Sequence, residues 1–99
     1  MKVIQEYVDT IKEELCDAKK YAEKSVYNKA KNDARRQRVY HDLAEDELRH
    51  ANMIHAFAVE EIEQLERVFK PTQEMQDAWE KCHVEYVEKS AWIKTMLEM

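Results

Sequence analysis

Ala44-Glu45-Asp46-Glu47-Leu48-Arg49-His50-Ala51 puts a Glu and a His three residues apart in the middle of a long helical pattern. Three residues on a helix is close to one turn, so Glu47 and His50 share a face and can hold one metal ion between them. Around them apolar residues recur at Val39, Tyr40, Leu43, Ala44, Ala51, Ile54, Phe57, Ala58, Leu65 and Val68. That spacing predicts a helix over about 34–69. On a wheel advancing about 100° per residue, Glu47 falls near the centre of the stripe and His50 within it, while Leu48 points to the other side. Glu61 is also on the stripe, closer to the helix end. A carboxylate in an apolar stripe is costly unless it is paired or bound to a metal.

Upstream, Ile4, Val8, Ile11, Leu15, Ala18, Ala22 and Val26 predict a helix over about 3–27. Glu14 falls inside its apolar arc, beside Tyr7 and Ala18; Glu13 and Asp17 fall outside. The polar stretch Asn28-Lys29-Ala30-Lys31-Asn32-Asp33 reads as a short turn centred near residue 30 or 31, with Asn32 or Asp33 as the next N-cap. Folding the hairpin about that turn sets residues equidistant from it side by side. Glu14 and Glu47 are such a pair. The wheel and the register therefore select the same residue, and Glu14, Glu47 and His50 become the candidate metal ligands, the residues that would also be catalytic under the family resemblance given below.

Downstream, Lys70-Pro71-Thr72 ends the second helix, because proline disfavours helix in the residue before it, and Thr72 can cap a third over about 73–97. Its stripe is Met75, Trp79, Cys82, Tyr86, Ile93 and Leu97, interrupted by Lys89 and Ser90. Glu80-Lys81-Cys82-His83 imitates the Glu-x-x-His step. Folding about residues 70–71, however, sets Glu80 and His83 level with about residues 61 and 58, far from Glu47. They read as a solvated edge, with a separate weak site beside Glu61 as the alternative.

The composition agrees with an all-α single domain over residues 1–99: there is no Gly and one Pro, and charged residues of mixed sign make up 37% of the chain. A net charge of −5 without a dense basic block argues against nucleic-acid and membrane-surface partners. No apolar run approaches a membrane span or a signal segment, so the expected location is cytoplasmic. Cys16 and Cys82 form no C-x-x-C pair and read as reduced, semi-buried thiols; a rubredoxin-type iron centre would need paired cysteine motifs.

Glu14, followed 33 residues later by Glu47 with His50 three beyond, resembles the ferritin-like di-iron superfamily, including rubrerythrin and bacterioferritin. Glu14-Leu15-Cys16-Asp17-Ala18-Lys19-Lys20-Tyr21-Ala22 and Ala44 to Ala51 also look rubrerythrin-like, and the likeness spans about residues 5–60. That family uses a Glu from each of two helices and a Glu-x-x-His from each of two others. This chain has one half. The resemblance therefore implies a homodimer or higher homo-oligomer in which two antiparallel hairpins form a four-helix bundle. Each copy would supply Glu14, Glu47 and His50, and the third helix would brace the outside or add to the contact through Trp79 and Trp92. The half-site logic is similar to that of ferritin-like proteins housed in encapsulin shells, although no shell-loading extension of their kind is visible.

Carboxylate and imidazole ligands without thiolate suit iron, or manganese, better than structural zinc. The resemblance implies two Fe per dimer, with Glu47 and its mate bridging and Glu14 and His50 terminal. It also implies oxidation of Fe(II) with O2 or peroxide as the small-molecule substrate, a ferroxidase- or peroxidase-type oxidoreductase. Asp17, Asp46 and Tyr21 are candidates for orienting the ligands. The alternatives are a non-enzymatic metal-binding or structural helical oligomer and, last, an adaptor whose stripe binds partner helices.

Overall fold

A computed structural model describes residues 2–99 as three α-helices: α1 Lys2–Ala30, α2 Ala34–Glu66 and α3 Gln73–Glu98. Among the described residues there is no strand. α1 runs about one turn further than its periodicity predicts, and α2 stops at Glu66 instead of reaching Phe69.

The α1–α2 turn shows how a chain without glycine reverses direction. Asn32 takes the left-handed conformation, with φ 60. Its short amide side chain makes Asn one of the few residues other than Gly to accept that region readily. The Asn32 N–H donates to Lys29 O at 3.0 Å and the Asp33 N–H to Asn28 O at 2.9 Å. Together these form a Schellman motif that satisfies carbonyls at the end of α1. Asp33 then caps α2, its side chain accepting from the Arg36 N–H at 3.0 Å. Thr72 caps α3 in the same way through the Met75 N–H at 3.2 Å, as its position before the third stripe predicts.

Ile4, Val8, Ile11, Leu15, Ala18 and Ala22 of α1 are buried, as the periodicity requires. Val26 is only partly so; Ser25 and Asn28 take the buried positions there, and the Asn28 amide donates to Lys24 O at 2.8 Å. α2 contributes Ala44, Leu48, Ala51, Ala58 and Ile62; α3 contributes Cys82, Ser90, Ile93 and Met96. Ile11 and Ile93 are fully buried, each burial stabilising by roughly 2–3 kcal/mol. Five alanines, Ala18, Ala22, Ala44, Ala51 and Ala58, are completely enclosed, so small side chains recur along the α1–α2 contact.

Several expectations change here. Leu48, expected on the far side of α2, is buried because α3 lies against that side. Val39, Leu43 and Phe57, expected in the core, are exposed at 53%, 37% and 53%. Val68 lies beyond the end of α2 and is exposed. Ser90, expected to interrupt the third stripe, lies inside it. Cys16 is exposed, whereas Cys82 is buried; both are free thiols. No helix among the described residues is long and apolar enough to cross a membrane.

α3 packs mainly along α1 and touches α2 more lightly. Polar bridges from α2 to α3 join His41 to Leu97 O at 3.2 Å, Asn52 to the Tyr86 hydroxyl at 2.7 Å, and His55 to His83 at 2.9 Å. All three pairs are symmetric about residue 69. The hairpin centre thus lies slightly before the expected 70–71, because α2 ends early, and His83 faces His55, about one turn from the expected residue 58. The result is a rod measuring 54 × 18 × 17 Å. α3 lies along its back. The front is the open face of the α1–α2 hairpin.

Candidate metal centre

The front of the hairpin is built from two rows. On α1, Tyr7, Glu14 and Tyr21 recur every seven residues, about two turns, and all are half-buried at the edge of the core arc. On α2, Val39, Leu43, His50, Met53 and Phe57 align along the exposed edge, with Glu47 and Ile54 just inside it. Aromatic contacts flank the centre on both sides. Tyr7 meets Phe57 edge-on with ring centroids 5.8 Å apart, and Tyr21 stacks on Tyr40 at 6.3 Å. The Tyr7 hydroxyl donates to Glu61 at 3.0 Å. Burial and this carboxylate together raise the Tyr7 pKa.

Between the aromatic pairs sit Glu14, Glu47 and His50. One ligand-type atom from each lies within 4.8 Å of the others, a grouping able to hold a metal ion. His50 Nδ1 is 3.6 Å from Glu14 Oε2 and 3.9 Å from Glu47 Oε2. The carboxylate side chains are 23% exposed and the imidazole 42%, so the group opens toward the front. Glu14 Oε2 is buried and has no hydrogen-bond partner. A buried carboxylate oxygen without a donor is destabilising, and a cation in the space between the three side chains would relieve it.

The electrostatics agree. The Glu47 carboxyl is pushed up to about 7. The leading cause is a hydrogen bond with Glu14, followed by burial and by the Glu14 charge; His50 pulls the other way and Asp17 adds to the rise. Two carboxylates this close cannot both ionise freely unless a positive charge joins them. A proton shared between them or a metal ion held by both meets the same need. The three residues therefore fit a hard cation such as Fe(II) or Mn(II) on donor chemistry.

The structure brings together the three residues that the sequence singled out. Asp17 lies close enough to affect Glu47. Asp46 instead lies 4.0 Å from Arg49 on the exposed side, and Tyr21 belongs to the flanking aromatic stack. Glu61 pairs with Tyr7, not with His83. His83 contacts His55, so the weak site envisaged between Glu61 and the Glu80/His83 step is not formed. Trp79 is stacked over His55 with centroids 5.5 Å apart, whereas Trp92 is exposed. The His55–His83 pair escaped the sequence reading, yet reflecting α3 about residue 69 would have found it.

Comparison of the chain with protein-family models finds no match. Neither a curated protein nor a solved structure matches.

Proposed function

We propose that Glu14, Glu47 and His50 are the protein half of a di-iron site, and that two copies of the chain join front to front to complete it. The observation carrying this reading is the buried Glu14 Oε2, which has no hydrogen-bond partner while both carboxyls are ionised, lying 3.6 Å from His50 within a three-residue ligand group. The exposed row Val39, Leu43, Met53 and Phe57 on both sides of His50 supports the pairing. One chain leaves these apolar side chains in water beside its most polar cluster; a second hairpin would cover them and supply the matching three ligands. Such a dimer is a ferritin-like four-helix bundle, symmetric about a two-fold axis. It brings four carboxylates and two imidazoles to two metals.

In this site Glu47 and its copy would hold the ions together with Glu14 and His50 of each chain. Four carboxylates offset the four positive charges of two Fe(II) ions. Six side chains leave positions open for O2 or peroxide. Iron bound there would supply one electron per ion to that oxidant, making the protein a ferroxidase- or peroxidase-type oxidoreductase. Glu47 must give up its proton before it can ligate, so its carboxyl near 7 couples metal entry to proton release. Manganese suits the same donors.

The same proton favours one other reading. A proton shared by Glu14 and Glu47 stabilises the pair without metal, as expected of a non-enzymatic, structural or metal-binding oligomer. The test is anaerobic addition of Fe(II) to metal-free protein, followed by air or peroxide. One iron per chain with fast ferric absorbance, lost in Glu47→Ala and His50→Ala, supports the enzyme. Tight binding without oxidation supports the second reading. Absence of Fe(II) and Mn(II) binding rejects the metal centre, and a monomer by light scattering at micromolar concentration, with and without metal, rejects the shared site.

A further inference from the structure

On the back of the rod, His55 of α2 and His83 of α3 bring ring nitrogens Nε2 and Nδ1 to 2.9 Å. Their rings are 24° from parallel, with centroids 5.1 Å apart. His55 lies against Tyr86 at 3.9 Å, tilted by 8°, and against Trp79 at 5.5 Å. Both histidines are half-buried, so one side of the pair remains reachable from solvent. Neither belongs to the front site.

We propose that His55 and His83 form a second metal site, a two-imidazole clip for Cu2+ or Ni2+ that fastens α3 to α2.

Three features carry this. The first is the separation. Two nitrogens bound at about 2.0–2.1 Å to one ion, at right angles to each other, stand about 2.9 Å apart. Tetrahedral binding would spread them to about 3.3 Å. The observed 2.9 Å is the N–H···N hydrogen bond of the metal-free pair, and it is also close to the spacing of neighbouring positions on a tetragonal ion, the geometry favoured by Cu2+ and Ni2+. The second is the donor set. Two imidazole nitrogens suit late divalent ions such as Cu2+ and Ni2+. The third is the aromatic stack, which fixes the plane of the His55 ring.

The protonation balance is simple. Without metal, one nitrogen of the pair carries the hydrogen that the other accepts. Binding moves that hydrogen to the far nitrogen of the same ring through solvent, leaving both near lone pairs for the ion. No proton is lost, and water fills the remaining positions. Burial and the neighbouring His83 both lower the His55 pKa, which favours the uncharged ring.

The experiment uses CuSO4 with a background variant carrying Cys16→Ser, which removes the exposed thiol that would reduce Cu2+, together with His41→Ala, Glu47→Gln and His50→Ala. This removes the front site and His41, whose Nδ1 lies 3.2 Å from Glu45 and would compete at the surface. Expected are one Cu2+ per chain, electron-paramagnetic splitting from two imidazole nitrogens, and a rise in Tm. Adding His83→Gln preserves a hydrogen-bonding side chain opposite His55 but should weaken Cu2+ binding at least tenfold and abolish the two-nitrogen signal. Unchanged Cu2+ affinity in the His83→Gln protein overturns the proposal, as does a background variant that binds no Cu2+. Because two of the three front ligands, Glu47 and His50, are removed throughout, the outcome is independent of whether the front binds iron.

Discussion

At the scale of single residues the decisive group is Glu47. Its carboxyl, ordinarily near 4.5, is pushed up to about 7 by Glu14 and burial. Between those values the folded chain holds a proton that the unfolded chain has released. Stability of the metal-free protein should therefore fall as pH rises through this window. His55 acts in the opposite sense: its lowered pKa costs stability as pH falls. The Glu47 contribution is isolated by comparing the parent with Glu47→Gln. Thermal melts at pH 5 and 8 should show the parent losing a few degrees more than the variant between the two. An equal change in both would show that Glu47 ionises freely. With Fe(II) or Mn(II) present the parent's slope should reverse, because protons then compete with metal. Glu14, Glu47 and His50 were legible in the sequence because each is ionisable and each falls in an apolar arc. Residues such as Asn52 and His55 gave no such contrast; only the α2–α3 register reveals what they meet.

At the scale of the elements, the turn at Asn32 is a local prediction from one dihedral angle. Asn32→Gly should raise Tm by a few degrees, since glycine enters the left-handed region without a side-chain penalty. Asn32→Val should cost about 1–2 kcal/mol in denaturant melts. Equal stabilities would mean that the turn does not depend on the left-handed residue. The helices themselves were legible from periodicity and caps. The inside of α2 was not. A helical wheel recognises dry surface but does not distinguish the interior of one chain from an interface between chains. It merged Val39, Leu43 and Phe57 with Ala44, Ala51 and Ala58, and it misplaced Leu48 because the side taken by α3 is not written in the α2 pattern. Two substitutions separate these faces. Leu48→Ala should cost about 2–4 kcal/mol. Leu43→Ala, on the exposed row, should cost under about 1 kcal/mol when measured at protein concentrations where the chain is monomeric.

At the scale of the whole molecule, the radius of gyration is 15.9 Å, against about 13 Å for a globular chain of 100 residues. Three long helices side by side enclose only one layer of core, so the front of the hairpin has nothing of its own chain to cover it. Phe57→Asp tests whether a second copy does. It places a charge on the exposed row without emptying the core, so the thermal stability of the monomer should change little. In sedimentation the dimer should dissociate, and Fe(II) affinity should fall together with it at least about tenfold. A dimer that survives Phe57→Asp would put the contact elsewhere, for instance on the α3 side with exposed Trp92. The sequence singled out Glu14, Glu47 and His50, but which surface of the hairpin stays uncovered is a property of how α3 is laid down.

The five enclosed alanines have a consequence for chemistry as well as packing. Helix axes approach within about 8–10 Å according to the size of the side chains at the contact, and methyl groups allow the near end of that range. The backbones of α1 and α2 thus act as the jaws of a calliper, and the alanines set its opening. Glutamate has a limited reach, so the span that the Glu14 and Glu47 carboxylates could bridge in the proposed site is bounded by residues with no donor atoms in their side chains. The ionic radius that the proposed site would accept is, in that sense, encoded in the alanines.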